Sequence, residues 1–172
     1  MAELTQAMGI GAPSLYAAFG SKEALYAEAL RHYADTYEQF FWRRFHSAKT
    51  AREAVKCLLF DSAATMTGCV AEVPRGCMVA LSWVGSESYK EVGELVRSQR
   101  AVGLERLKAR LGKAAAAGEI PTSTDIHALA RFVQTVQTGM SLLARDGAGR
   151  AELDAVAEVA MQAWDARTSQ QQ

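Results

Sequence analysis

Leu4-Thr5-Gln6-Ala7-Met8-Gly9-Ile10-Gly11-Ala12-Pro13-Ser14-Leu15-Tyr16-Ala17-Ala18-Phe19-Gly20-Ser21-Lys22-Glu23-Ala24-Leu25 reads as a helix, a tight turn, a short second helix and the start of a third. Leu4 and Met8 lie one helical turn apart, and Gly9 can take the left-handed backbone that ends a helix. Ile10 is the apolar residue such a turn tucks under, and Leu15 and Phe19 repeat the four-residue spacing on the second helix. The corner is expected to bury Leu4, Met8, Ile10, Leu15 and Phe19 together. Pro13, Ser14, Tyr16 and Ala17 are left facing outward, on the helix that in a corner of this kind enters a DNA major groove.

Outward from this corner the chain reads as helix throughout. Its three prolines, Pro13, Pro74 and Pro121, are separated by long stretches rich in Ala, Leu, Glu and Arg, and no alternating strand pattern competes. Ser21 is the expected N-cap of the third helix, along which Leu25, Leu30, Tyr33, Tyr37, Phe40, Phe41 and Phe45 form an aromatic stripe running into the body. Thr50-Ala51-Arg52-Glu53 is a capping box opening a helix through Val55, Leu58, Leu59 and Met66, broken by Gly68–Arg75. A short helix from about Gly76 to Val84 is followed by a second capping box at Ser88-Tyr89-Lys90-Glu91. That box opens a long helix through Val92, Leu95, Val96, Val102, Leu107 and Leu111, which Gly118 and Pro121 end. Thr124 or Asp125 caps a helix carrying Ile126, Leu129, Phe132, Val133, Val136, Met140 and Leu143. After the turn Arg145–Gly149, a last helix carries Leu153, Val156, Val159, Ala160 and Trp164. Ala128, Gly139, Ser141, Ala155, Ala157 and Ala163 make the last two helices narrow enough to pack closely against a second copy about a twofold axis.

The run Met8-Gly9-Ile10, Pro13-Ser14-Leu15-Tyr16 and Phe19-Gly20-Ser21-Lys22-Glu23-Ala24-Leu25 resembles the amino-terminal signature of TetR-family transcriptional regulators, and Gly76-Cys77 is similar to a further element of that family. The resemblance implies an all-α fold with a helix-turn-helix DNA-binding head, residues 1–45 with the connecting helix, followed by a larger ligand-binding and dimerisation domain, residues 46–172. It also implies one more helix ahead of the motif, so the head is expected to be incomplete at its N-terminus. By the same resemblance Ala12, Pro13, Ser14, Tyr16, Ala17 and Lys22 are the expected contacts to double-stranded operator DNA. Their chemistry suits that role. Hydroxyls of Ser14 and Tyr16 can donate to phosphate, Lys22 adds charge at a helix start, and Pro13 or Ala17 can meet a thymine methyl. From Gly9 to Gly20 there is no charged side chain and no Asn or Gln, so sequence preference is expected to lean on methyl contacts, water and DNA shape.

Charge argues mildly against this reading, because Lys and Arg that neutralise phosphate normally supply much of the affinity for DNA. The 172 residues carry nineteen basic and nineteen acidic side chains, and residues 1–48 hold four basic against five acidic, so phosphate attraction has to be local. The 49% hydrophobic content supports a full core. No apolar run is long enough to span a membrane, and Met1 is not followed by a secretory leader. Three cysteines are an unpaired set, expected as reduced thiols in a cytoplasmic protein.

A cavity for an unidentified small-molecule effector is expected among the helices carrying Phe60, Met66, Met78, Trp83, Phe132, Val136 and Gln137, because Met and aromatic side chains adapt to varied ligands. His32, His46 and His127 are scattered, and no catalytic triad, carboxylate pair, metal set or cofactor site can be argued. The resulting expectation is a ligand-responsive repressor, a homodimer through its last two helices, whose operator affinity falls when a small molecule binds. Two further readings stay open on the same residues: a helical dimeric module that binds a ligand or protein without DNA, and a thiol-based redox sensor using Cys69 and Cys77.

Overall fold

The computed structural model describes residues 1–70, 73–82 and 90–169. Among them there are eight helices and no strand: α1 Ala2–Met8, α2 Ala12–Phe19, α3 Lys22–Ser47, α4 Ala51–Met66, α5 Met78–Leu81, α6 Lys90–Ala116, α7 Ile126–Asp146 and α8 Arg150–Thr168. The all-α expectation holds. Trp83, Val84 and the capping residues Ser88 and Tyr89 lie outside the described residues.

Local chemistry sets the boundaries. Gly9 ends α1 with φ 65°, donating to the Gln6 carbonyl at 3.2 Å while Ile10 N–H donates to Thr5 at 3.1 Å. Pro13 sits in the first turn of α2, where its missing N–H costs nothing. Ser21 Oγ accepts from Ala24 N–H at 3.1 Å and opens α3, which then runs 26 residues without a break. Thr50 Oγ1 accepts from Glu53 N–H at 3.1 Å, and the Glu53 carboxylate accepts at 2.9 Å from Lys49 N–H, one residue earlier than a strict capping box would have it. Asp125, not Thr124, caps α7 by accepting from Ala128 N–H at 2.9 Å.

The core is built around α4, which packs on α3, α7 and α8 and is buried from Ala51 to Met66 on nearly every side. Phe41 and Phe45 of α3, Leu107 and Leu111 of α6, Met140 of α7 and Leu153 and Trp164 of α8 close around it. Of the aromatic stripe, Leu30, Phe41 and Phe45 are buried, while Tyr37 packs on the core from its edge.

The corner differs from expectation. Leu15 is buried and Phe19 half-buried, but Leu4, Met8 and Ile10 keep 40%, 45% and 37% of their surface. The reason is geometric: a seven-residue helix laid on α2 covers one flank of each side chain, and α1 contains no buried residue. Two of the six small residues expected at a dimer face also turn inward. Ala157 is fully buried, and Ser141 Oγ accepts from Cys77 N–H at 2.8 Å.

That bond fixes the turn ahead of α5. Gly76, at φ 85°, is pressed so closely that a Cβ would stand 2.5 Å from Leu81 Cδ1 and 3.0 Å from the Ser141 carbonyl oxygen. Gly76→Ala combines a left-handed backbone with a clash against main chain. It is expected to cost on the order of 1–3 kcal/mol in urea denaturation. At the surface, Arg52 donates to both oxygens of Asp165, at 2.7 and 2.8 Å, tying α4 to α8 and holding the Asp165 carboxyl below its ordinary value. Both partners are well exposed, so Asp165→Asn is expected to cost less than about 1 kcal/mol at neutral pH. Because the folded value is the lower one, that difference is fully present above the ordinary Asp range and closes as pH falls through the folded value.

Candidate functional site

Two features stand out, an exposed helix at one end and a cavity in the body. On α2, Ala12, Pro13, Ser14, Tyr16 and Ala17 are all exposed, while Leu15 is buried and Phe19 half-buried on the inward side. Tyr16 keeps 42% of its surface. Lys22, the first residue of α3, is exposed as well. All six expected DNA contacts therefore share one solvent-facing end of the molecule, offering two hydroxyls, an ammonium and small apolar side chains.

The cavity lies where α3, α5, α6 and α7 meet, is partly open to solvent and has a volume of about 120 Å³. Phe41, Trp42, Met66 and Val102 give it apolar walls; Tyr33, Cys77, Gln134 and Gln137 give it hydrogen-bonding groups; Glu38, Arg100 and Arg106 give it charge. Glu38 and Arg106 are ion-paired to each other. The Arg106 guanidinium also lies 5.3 Å from the Trp42 ring centroid. The Tyr33 hydroxyl is buried without a hydrogen-bond partner. Burial first, and then the neighbouring Cys77 thiol, push its pKa well above the ordinary tyrosine value, so it stays protonated and available as a donor.

Of the residues expected to frame a pocket, Met66 and Gln137 line this cavity, and Gln137 is held by a 2.8 Å bond from its amide nitrogen to Ser62 Oγ. Met78 belongs to α5 but is not among the walls. Phe60 of α4 and Phe132 and Val136 of α7 are partly buried against the hydrophobic core and are not among the cavity walls, their apolar surface being taken up by core packing. Phe132 instead borders a separate cleft beside the α6–α7 turn and the end of α8. Trp83 lies outside the described residues. The residues that sequence reasoning missed are Trp42, Arg100, Arg106 and Gln134. Glu38 and Trp42 do stand four apart, on a face adjacent to the aromatic stripe, yet nothing in one sequence says that α6 brings two arginines to that face.

The cavity is connected to the exposed end. Arg100 donates to the carbonyls of Val79 at 3.1 Å, Ala80 at 2.9 Å and Ser82 at 2.5 Å, closing the C-terminal end of α5. The Ser82 hydroxyl lies 2.5 Å from Tyr26 OH, one turn into α3 and just beyond Lys22. Gln134 of α7 in turn donates to the Arg100 carbonyl at 2.9 Å. The cysteines occupy different surroundings: Cys77 is on the cavity wall, whereas exposed Cys69 contacts Thr67 Oγ1 at 3.3 Å. No helix among the described residues is long and apolar enough to cross a membrane.

No protein-family model matches the chain. Over 169 residues it is 31% identical to the HTH-type transcriptional repressor ComR of Escherichia coli (strain K12), a match covering 95% of this chain and 78% of that protein. Its fold is similar to that of the TetR family transcriptional regulator CifR, solved as a cysteine mutant complexed with 26-base-pair double-strand operator DNA. The TM-score is 0.86 at 39% identity, covering 95% of this chain and 85% of that one. A second cysteine mutant of CifR on operator DNA gives a TM-score of 0.86 at 38% identity over 95% and 84% of the two chains.

Proposed function

The chain belongs to the TetR family of transcriptional regulators, and from that premise we propose that it is an operator-binding repressor that acts as a homodimer and releases DNA when a small molecule enters the α3–α6 cavity. In this reading residues 1–45 are the DNA-contacting head and residues 46–172 the ligand-binding and dimerisation body. The observation that carries it is the outward face of α2, where Ala12, Pro13, Ser14, Tyr16 and Ala17 are all exposed around a single buried anchor, Leu15. A helix whose outer face carries hydroxyls and small side chains, with a lysine at the start of the next helix, has the chemistry to lie in a major groove and hold its flanking phosphates. CifR, solved on double-strand operator DNA, supports operator binding as the activity of this chain.

Dimerisation supplies the second head. Leu142 and Leu143 on α7 and Val159 on α8 keep 55%, 40% and 64% of their surface. Ala155 and Ala163 flank Val159 at four-residue spacing on the same exposed side of α8. An apolar, small-residue surface of this kind on two neighbouring helices suits a four-helix interface with a second copy. Two heads then reach half-sites about 34–36 Å apart or a multiple of it. A ligand that is bound better by one arrangement of α3 than the other shifts the population away from that spacing.

Val159→Glu tests assembly and function together. Two carboxylates buried against each other at a twofold axis are expected to give monomers in analytical ultracentrifugation at concentrations where the parent is dimeric, with unchanged helicity by circular dichroism. Operator affinity should fall at least a hundred-fold with it, since each head loses the tethered partner. A monomeric variant that binds the operator as tightly as the parent would overturn the dimer reading.

A further inference from the structure

We propose that the ligand taken by this cavity is a small organic anion, a compact apolar monocarboxylate, and that Arg100 is the residue that reads its charge. The proposal deepens the effector reading above and rests on it. The first observation is the charge of the walls. Of the three ionised groups lining the cavity, Glu38 and Arg106 neutralise one another, which leaves the Arg100 guanidinium without a carboxylate partner among the described residues. A cationic ligand would meet a like charge there, whereas an anion would meet an opposite one with low-dielectric walls around it.

The second observation is how Arg100 is held. Its Nε and one Nη donate to three main-chain carbonyls, those of Val79, Ala80 and Ser82. These are neutral acceptors bearing partial charge at the end of a short helix. A carboxylate is a stronger acceptor for the same planar fork and matches it with two parallel bonds. The remaining polar groups agree in sign: the Tyr33 hydroxyl is buried beside the Cys77 thiol and the Met78 main chain without a partner at good hydrogen-bonding geometry, and a carboxylate oxygen is a stronger acceptor than the thiol. The apolar walls from Phe41, Trp42, Met66 and Val102 and the volume of about 120 Å³ suit one ring or a short chain for the part of the ligand that is covered.

Recognition at Arg100 also has a mechanical consequence. The guanidinium that would turn to the ligand is the one holding the Ser82 carbonyl, and the Ser82 hydroxyl is the partner of Tyr26 at the head end of α3. Charge on the ligand is thereby coupled to the fastening of the helix that carries the DNA-reading corner.

The test is a matched panel of benzoate, phenylacetate and hexanoate against benzamide, phenylacetamide and hexanamide, with the full chain. Binding is followed by tryptophan fluorescence, to which the wall residue Trp42 contributes, and by thermal shift. Acids are expected to bind at least ten-fold more tightly than their amides. Arg100→Met should reduce that preference to within two-fold, while Arg100→Lys, which keeps the charge and guards against loss of folding, should retain part of it. Tyr26→Phe, outside the cavity, should leave the preference intact and weaken the effect of acid on operator binding. If amides bind as well as acids, or the preference survives Arg100→Met, the anion proposal fails while the effector cavity stands. If neither acids nor amides bind, the proposal of a compact apolar monocarboxylate fails on its own, and the effector reading is left to ligands of other chemistry.

Discussion

Trp164→Ala is expected to destabilise the fold by about 3–5 kcal/mol, the largest effect of any single truncation in the body. Trp164 is 1% exposed and stands among Leu153, Ala157, Ala160 and Met161 of its own helix in the cluster that joins α3, α4, α6, α7 and α8. Removing the indole deletes its transfer free energy and leaves a cavity that the helices around it can fill only partly, since α4 is already hemmed in by α3, α6, α7 and α8. For a chain of this size the loss corresponds to a fall in Tm on the order of 10 °C. Calorimetry on the variant, with exposed Glu158→Ala as a reference expected within about 0.5 kcal/mol of the parent, checks it. A Trp164 variant as stable as the reference would mean that α8 is not packed into the core as described.

The second large effect falls on function and leaves stability alone. Tyr16→Phe combined with Ser14→Ala removes two exposed hydroxyls from α2 in each protomer. A hydrogen bond to a charged group is worth about 1.5–3 kcal/mol, and a symmetric dimer loses each one twice. Operator affinity is expected to fall a hundred-fold or more in fluorescence anisotropy, while the unfolding curve stays where it was because neither hydroxyl contributes to the core. The split between the two readouts is what identifies a contact residue. A variant that unfolds early would place Tyr16 in the packing of the corner, and one that binds normally would remove α2 from the interface.

The corner, the aromatic helix and most boundaries are legible in the sequence because each is written in local chemistry. Gly9 and Gly20 supply positive φ, Ser21, Thr50 and Asp125 cap the helices that follow them, and Gly147 closes α7 at φ 112°. Periodicity overextends the short α5: the pattern reads as helix from Gly76, but Gly76 stands at φ 85° and Ser82 has extended backbone at ψ 131°, so the helix is confined to Met78–Leu81. Burial in the corner is overestimated for a related reason. Spacing says which residues share a face, but not how much of that face a seven-residue helix can cover. The cavity is legible only in part. Met66 and Gln137 announce themselves as adaptable and polar residues on helices bound for the body, but Arg100, Arg106 and Trp42 meet only through the way α6 crosses α3, a nonlocal fact with no periodicity of its own.

Repression by this protein, as proposed, turns on two copies of α2 reading duplex DNA in symmetric register. The most direct measurement is selection of bound sequences from random double-stranded DNA by the purified protein, repeated with the Tyr16→Phe, Ser14→Ala variant. The expected result is an enriched pseudo-palindrome whose half-sites lie about one helical turn, or a multiple of it, apart, and loss of that enrichment in the variant. Enrichment of a single asymmetric site, or equal enrichment by parent and variant, would contradict it.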